Sequence, residues 1–511
     1  MSISIFEIIG PIMIGPSSSH TAGMARIGMM TNRIVAEEIT AVHLSLSPML
    51  KSTYRGHRTD AALIGGTIGL RESSPEIREA IEIAHNRGIG TEIDFLPADQ
   101  YPQNTALLNV TCRSGRQVAV LGTSVGGGSI AVSGVDGADM NLAPDAFHLV
   151  VWSNAALPAK LFPAEATIQS GAGPMEWITC ATFSKMPEDA LAEQIRGIPD
   201  VQKVSVVTPV LEYGVSLPTV QDLRSCEEAC ALAQSRKLTL AEAAIRYEMS
   251  RSGFSREEIR SRMAKHFQQM KASVAEGAKD NRLLYGLASG KDAKLLMQKV
   301  IAGTTVSGGI VPLAVARALG VMEYNGSMGC IVAAPTAGSS GIVPGCMTTV
   351  QESYRLSDAQ LVDALFVSGL MGVIMANRGV SFSGSVGGCQ GEVGVSSAIS
   401  AAGLTSLFTD DTGKIVHAMA ICLKNLLGLV CDPIAGPVEV PCIKRNAVGV
   451  ANAFISADMA LAGIESFIPP DEVIDALADV ERRLPQELKC ATVGGLASTC
   501  TAQRVRSKLA K

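Results

Sequence analysis

The chain has 511 residues, a formal net charge of −5, 47% hydrophobic residues, 18% charged residues and 4% aromatics. So apolar and charge-poor a composition excludes a long disordered chain, and the length predicts several domains. The acidic balance carries no electrostatic footprint for nucleic acid, and the few aromatics leave no base-stacking surface, so no nucleic-acid partner is expected.

The opening stretch MSISIFEIIGPIMIGPSSSH has no basic start and carries Glu7 in its apolar run, unlike a secretory signal. The longest uncharged run lies between Glu323 and Glu352 and is broken by prolines and by many Gly, Ser and Thr residues. It reads as buried soluble backbone rather than a spanning helix. A cytoplasmic chain with no membrane partner is expected, and its 12 cysteines are then mostly small buried residues rather than a disulfide scaffold.

In chain order, Ala22–Glu38 and Pro75–Arg87 read as helices, and Thr40–Leu46 and Gln117–Leu121 as strands. Gly126-Gly127-Gly128 lies between two strand patterns, whereas a dinucleotide fingerprint needs a helix after its glycines, so that reading is set aside. From Phe147 the pattern is strand (His148–Ser153), short helix (Leu157–Phe162), strands (Ala166–Ser170 and Trp177–Ser184), helix (Pro187–Ile198) and strand (Val201–Val210). That β-α-β-β-α-β order is ferredoxin-like and resembles a degenerate ACT domain, read more simply as a spacer or dimerisation module than as an effector site. Leu211–Pro218 reads as a linker, after which Val220–Gln298 is strongly helical and 304–452 alternates helical stretches with Gly-Ser-Thr-Pro turns. The expected fold is multidomain: an α+β N-terminal domain (1–146), an ACT-like ferredoxin-fold middle domain (147–212) and an all-α C-terminal domain (220–511).

Three constellations carry chemistry. Ser17, Ser18, Ser19, His20 and Thr21 stand at an apparent helix start, where N–H groups and the dipole suit a carboxylate and His20 can exchange protons near neutral pH. His57, Thr59 and Asp60, in GHRTD, offer an imidazole, a hydroxyl and a carboxylate within four residues, with Asp60 also a helix-cap candidate. Taken singly, both segments are better explained by capping and structural hydrogen bonds than by chemistry. Cys389 (SGSVGGCQGEVG), Cys431 and Cys442 (LGLVCDPIAGPVEVPC) sit beside Gly, Pro or an acid, unlike Cys422 in its apolar helical run. Three thiolates can hold an iron–sulfur cube and leave one iron open, although the spacing matches no ferredoxin or zinc pattern.

Taken together, IGPSSSHTAGMARIG, GHRTDAALIGG, Pro102–Thr105, APTAGSSGIVPG, GGCQGEVGVSSAISAAGL, KNLLGLVCDPIAGPVEVPCIKRNA and GGLAST resemble the iron–sulfur L-serine dehydratases, with β and α parts fused in one chain. The resemblance implies conversion of L-serine to pyruvate and ammonia. It implies a 4Fe–4S cluster on Cys389, Cys431 and Cys442, and an active site lined by the PSSSHT and GHRTD stretches. It further implies a homodimer, an N-terminal fold like an allosteric substrate-binding domain, and Asn104, Thr105, Thr336, Lys444 and Arg445 as substrate-binding candidates. Some relatives end in a cysteine that reaches the fourth iron; this chain ends in RSKLAK, with Cys500 as its nearest candidate.

In such a reaction the open iron assists the leaving hydroxyl as a Lewis acid, and a base takes the α-proton. The base candidates are His20, His57 or an activated hydroxyl of Ser17–Ser19. Asp60 is a candidate to orient His57, and Lys444 and Arg445 to balance cluster charge or bind the substrate carboxylate. Three alternatives stay open. One is the same chemistry on L-threonine or L-cysteine. Another is a pyridoxal-phosphate enzyme with Gly338–Gly341 as phosphate cup. The last is a non-catalytic amino-acid sensor.

Overall fold

The computed structural model describes residues 2–97, 100–211, 213–214, 223–490 and 493–509. The chain divides into two compact units, Ser19–Val215 and a second made of Met1–Ser18 with Ser216–Lys511. Most of the linker expected over Leu211–Pro218 lies outside the described residues. The first strand, β1 (Ile12–Ile14), belongs to the second unit.

Among the described residues, unit Ser19–Val215 holds two sheets. The strands β2 (Ile39–Leu46), β3 (Gly90–Phe95), β4 (Thr105–Cys112), β5 (Gln117–Gly126), β6 (Ser129–Val135) and β7 (Ala138–Leu142) form one sheet of order β3-β2-β4-β5-β6-β7. Only β2 and β3 run parallel. Along β5, Val118, Val120, Gly122 and Ser124 are buried in alternation, the period-2 signature of a half-covered sheet. The helix Gly23–Val35 covers that face, since a Cβ on Gly122 would meet Ile27 at 2.7 Å.

A second helix, Thr59–Thr67, crosses Gly23–Val35 with backbones nearly touching. A Cβ on Gly28 would lie 2.3 Å from the Leu63 carbonyl oxygen, and one on Gly66 only 1.9 Å from that of Ala25. No other residue fits at these two positions without separating the helices. The segment Pro75–Arg87 is not one helix but a 3-10 turn (Pro75–Glu79) followed by the helix Ala80–Asn86.

The strands β8 (Phe147–Ser153), β9 (Thr167–Ala172), β10 (Trp177–Phe183) and β11 (Val201–Val207) form an antiparallel sheet of order β11-β8-β10-β9. Leu149, Val151, Ala181 and Phe183 pack there with Ala192 and Ile195 of the helix Asp189–Arg196. Where a short helix was expected, there is a three-residue 3-10 turn, Ala159–Leu161. Pro158 and Pro163 bracket it and leave no room for a longer run.

Among the described residues, the second unit is helical apart from β1 and β12 (Cys330–Val332), which pair antiparallel. The helix Asp358–Asn377 is the one described helix long and apolar enough to cross a membrane, and 78% of its apolar window is buried inside the protein. The N-terminal segment is pinned to this unit by Glu248, which accepts from Ser4 Oγ (2.9 Å) and the Ile5 N–H (2.8 Å) and pairs with Arg251 (3.0 Å). The uncharged run after Glu323 becomes the end of the helix Val311–Gly326, then β12, a 3-10 turn (Ala337–Ser339) and the start of the helix Ile342–Tyr354.

Candidate functional site

In unit Ser19–Val215 the two histidine motifs meet. The segment Ser18–Ala22 is a π-helical turn that runs straight into Gly23–Val35. The serines therefore do not stand as N-caps; Ala22 precedes the helix with helical angles and no side-chain cap bond. Arg58, in the left-handed region at φ 55°, turns the chain into Thr59–Thr67 just after His57.

Because those helices cross at Gly28 and Gly66, their N-terminal approaches come together. His20 Nδ1 lies 2.7 Å from His57 Nδ1, and the rings stack with centroids 4.6 Å apart. His20 Nε2 lies 2.8 Å from Asn104 Oδ1. Thr21 Oγ1 donates to the His57 carbonyl at 2.7 Å. Both imidazoles and Asn104 are buried. Burial pushes the His20 pKa down, against the opposing effect of the Asn104 bond, so its neutral form is favoured.

The neighbours of the pair are placed differently from expectation. Asp60 Oδ1 accepts from the Ala61 N–H at 2.8 Å, and burial raises its pKa. It is His20 that meets the His57 ring nitrogen. Thr105 Oγ1 is engaged across the sheet with Thr123 Oγ1 at 2.8 Å. Thr59 Oγ1 is buried with no hydrogen-bond partner among the described residues.

In the second unit a sulfur-rich group forms where several turns end. Cys389 precedes the π-helical turn Gln390–Gly394, Cys431 sits in an extended loop, and Cys442 opens the helix Cys442–Leu461. Ligand atoms of Cys389, Glu392 and Cys431 lie within 4.8 Å of one another, and the two thiols are buried. Cys442 interacts electrostatically with Cys389, Glu392 and Cys490. Cys490 is the cysteine that a sequence reading misses: its N–H donates to the Cys431 carbonyl at 2.7 Å, and its thiol is among the neighbours that push the Cys431 thiol up. Its φ of 56° turns it back from the direction of an extended strand. Cys500, by contrast, is exposed at the head of the helix Cys500–Leu509.

Glu392 also escaped the sequence reading, although it stands three residues after Cys389. Burial pushes its carboxyl up to about 7, opposed by bonds from Thr336 and the nearby thiols and by the charge of Arg445. Thr336 is thus brought to this group. Arg445 joins it too, with Nη1 at 2.7 Å from the Val430 carbonyl and 3.4 Å from Cys389 Sγ, and Nη2 at 2.7 Å from Asp432. Lys444 does not: its side chain is largely exposed and pairs with Asp292 at 3.4 Å, because adjacent helical residues point about 100° apart. The glycines and serines of Gly338–Gly341 make no open phosphate cup. Ser340 Oγ donates to the Ala337 carbonyl at 2.8 Å, and Ser339 Oγ pairs with Thr336 Oγ1 at 3.1 Å.

The donor set fits a sulfur-ligated metal group. Neighbouring thiols and burial push the Cys431 thiol well up, and burial and the same neighbours do so for Cys442. Crowded thiolates ionise together only when a cation shares their charge. Cys422 stands apart in the helix Thr412–Lys424, its Sγ 3.0 Å from Ser397 Oγ.

Residues 235–497 match the family model for the serine dehydratase alpha chain, and residues 4–94 that for the serine dehydratase beta chain. The chain is 41% identical over 286 residues to the probable L-serine dehydratase, alpha chain, of Bacillus subtilis (strain 168), covering 56% of this chain and 95% of that one. It is 39% identical over 142 residues to the probable beta chain of the same organism, covering 27% and 63%. It is 28% identical over 530 residues to L-serine dehydratase 2 of Escherichia coli (strain K12), covering 98% and 99%.

Proposed function

This chain belongs to the serine dehydratase family, with its β-chain match ahead of its α-chain match in one polypeptide, and on that premise we propose that it removes water from L-serine and releases pyruvate and ammonia. It is a lyase. We rest the finer chemistry on one observation, the convergence of buried thiols from distant parts of the chain around Cys431.

Cys389, Cys431 and Cys442 would hold a 4Fe–4S cluster, and Arg445 would offset its negative charge. When bound, such a cluster supplies a Lewis acid that eases departure of the β-hydroxyl. The protein's own residues handle the proton. Asn104 Oδ1 accepts, so His20 Nε2 carries a hydrogen, and neutral His20 offers Nδ1 as an acceptor. His57 then donates through Nδ1–H, which puts the lone pair of the neutral ring on Nε2, the nitrogen that would take the α-proton. His57 is the catalytic base on this reading and His20 a positioning residue. The eliminated aminoacrylate tautomerises to an imine and hydrolyses in water. The homodimer, the cytoplasmic location and the three-domain division remain parts of the same proposal.

The test is anaerobic reconstitution with ferrous iron and sulfide, followed by iron analysis and by pyruvate formation from L-serine, L-threonine and L-cysteine. Iron-dependent turnover with the highest kcat/KM on L-serine supports the proposal. Turnover by rigorously iron-free protein refutes the cluster, and a band reducible by borohydride would favour pyridoxal phosphate instead.

A further inference from the structure

The helix Cys442–Leu461 is apolar on two sides, and only one of them is covered. Ile443, Val450, Ala453, Phe454, Ala457 and Ala460 are buried, and the helices Val311–Gly326, Val395–Ser406 and Thr412–Lys424 pack on that side. On the other side Lys444, Val448, Ala451, Ile455 and Asp458 follow one another at steps of four, three, four and three residues. At about 100° per residue those steps draw one straight stripe, the spacing of a seam between two helices. Val448 and Ile455 are each 53% exposed. A helix that is apolar all round is ordinarily buried all round, so this stripe lacks its cover. Ile464 and Phe467 continue the exposed apolar surface past the end of the helix.

The ends of the stripe show what fits it. Lys444 stands at the N-terminal end with its side chain 71% exposed, and it reaches Asp292 only at 3.4 Å. Asp458 stands at the C-terminal end, exposed and with no ion pair among the described residues. Turned end for end, the stripe matches itself. With a two-fold axis beside Ala451, Lys444 of one copy faces Asp458 of the other, Val448 faces Ile455, and Ala451 faces Ala451. Symmetry makes each unlike pairing twice. Lys444 and Asp458 lie about 10 Å to either side of Ala451 along the helix, within reach of a lysine side chain across the seam. The small Ala451 at the centre lets the two axes approach to about 8–10 Å. A parallel copy would set lysine on lysine and aspartate on aspartate, so the charges select the antiparallel direction. A partner of one charge sign would satisfy only one end.

We propose that this stripe is an interface with a second copy of the chain, packed antiparallel about a two-fold axis at Ala451. It gives the proposed homodimer its surface. It is judged by association rather than by turnover, so the interface and the dehydratase chemistry stand or fall separately.

The test is sedimentation equilibrium of the full-length protein, comparing the wild type with Val448→Asp, Ile455→Asp, Lys444→Glu, Asp458→Lys and the double variant Lys444→Glu with Asp458→Lys. The wild type should be a dimer. A carboxylate buried without a partner in the seam should raise the dimer dissociation constant by about 100-fold or more in each of the first two variants. Each single charge reversal sets like charges opposite one another twice and should raise it by about 10-fold or more. The double reversal should return it to within about threefold of the wild type, and that rescue separates a lost contact from misfolding. A monomeric wild type, aspartate variants that dimerise as the wild type does, or a double reversal no better than the single ones would each overturn the proposal.

Discussion

Gly66→Ala tests whether helix packing creates the imidazole pair. The new methyl would sit 1.9 Å from the Ala25 carbonyl oxygen, 2.7 Å from the Met29 nitrogen and 2.9 Å from the Ala25 carbonyl carbon. All three are backbone atoms of the partner helix and cannot swing aside. The helices must part by about 1 Å before the worst contact reaches 3.0 Å. Overpacking of this kind costs about 1–3 kcal/mol, here at the upper end, and the better helix propensity of alanine offsets about 1 kcal/mol. A net loss of about 2 kcal/mol lowers the Tm of a unit this size by about 4–8 °C. The larger effect falls on catalysis. The displacement is comparable to the slack in the 2.7 Å His20–His57 contact, and a shift of about 1 Å at a reacting group costs about 100-fold in rate. The assay is kcat on L-serine with thermal unfolding by circular dichroism. Iron content should stay at the wild-type level, because the thiols belong to the other unit. A variant with a lowered Tm but kcat within twofold of wild type would refute the link between this crossing and the base.

His57→Ala should lower kcat by about 10²- to 10⁴-fold, the range of one general base, whereas His20→Ala should lower it less and shift the pH–rate profile; equal losses with unshifted profiles would contradict the tautomer assignment. Cys389→Ala, Cys431→Ala and Cys442→Ala should each lose iron after anaerobic reconstitution, and Cys422→Ala should retain it, since its thiol bonds Ser397 instead; iron and sulfide analysis decides. Burial pushes the Glu323 carboxyl from 4.5 up to about 7, so the folded chain holds a proton there that the unfolded chain releases. Stability therefore declines as pH rises from about 4.5 to about 7, by on the order of 1–3 kcal/mol, and Glu323→Gln should flatten that slope; parallel urea-melt profiles for the two proteins would refute it.

The sequence by itself determined the kinds of element and the chemistry on offer. Apolar spacing marked the helix that became Gly23–Val35, an early Pro with Asp and Glu marked Asp189–Arg196, and strand-type runs marked β2, β5 and β8, of which β5 alternates, because burial on one face imposes a period of 3.6 or 2 on a chain. Motif residues such as His20, His57, Cys389 and Cys431 could be singled out by residue type and setting. Which of them meet was decided in three dimensions. Asp60, near His57 in sequence, bonds the backbone of its own helix, while His20 and Asn104 arrive from distant segments. Lys444 and Arg445 are adjacent yet diverge, one to Asp292 and the other to Cys389. Cys490 gained its place at the thiols through a chain return that local pattern does not encode. Periodicity reports which face of an element is apolar, whereas the partner across that face depends on close backbone approach, as at Gly66, and on strand register, both properties of the closed fold.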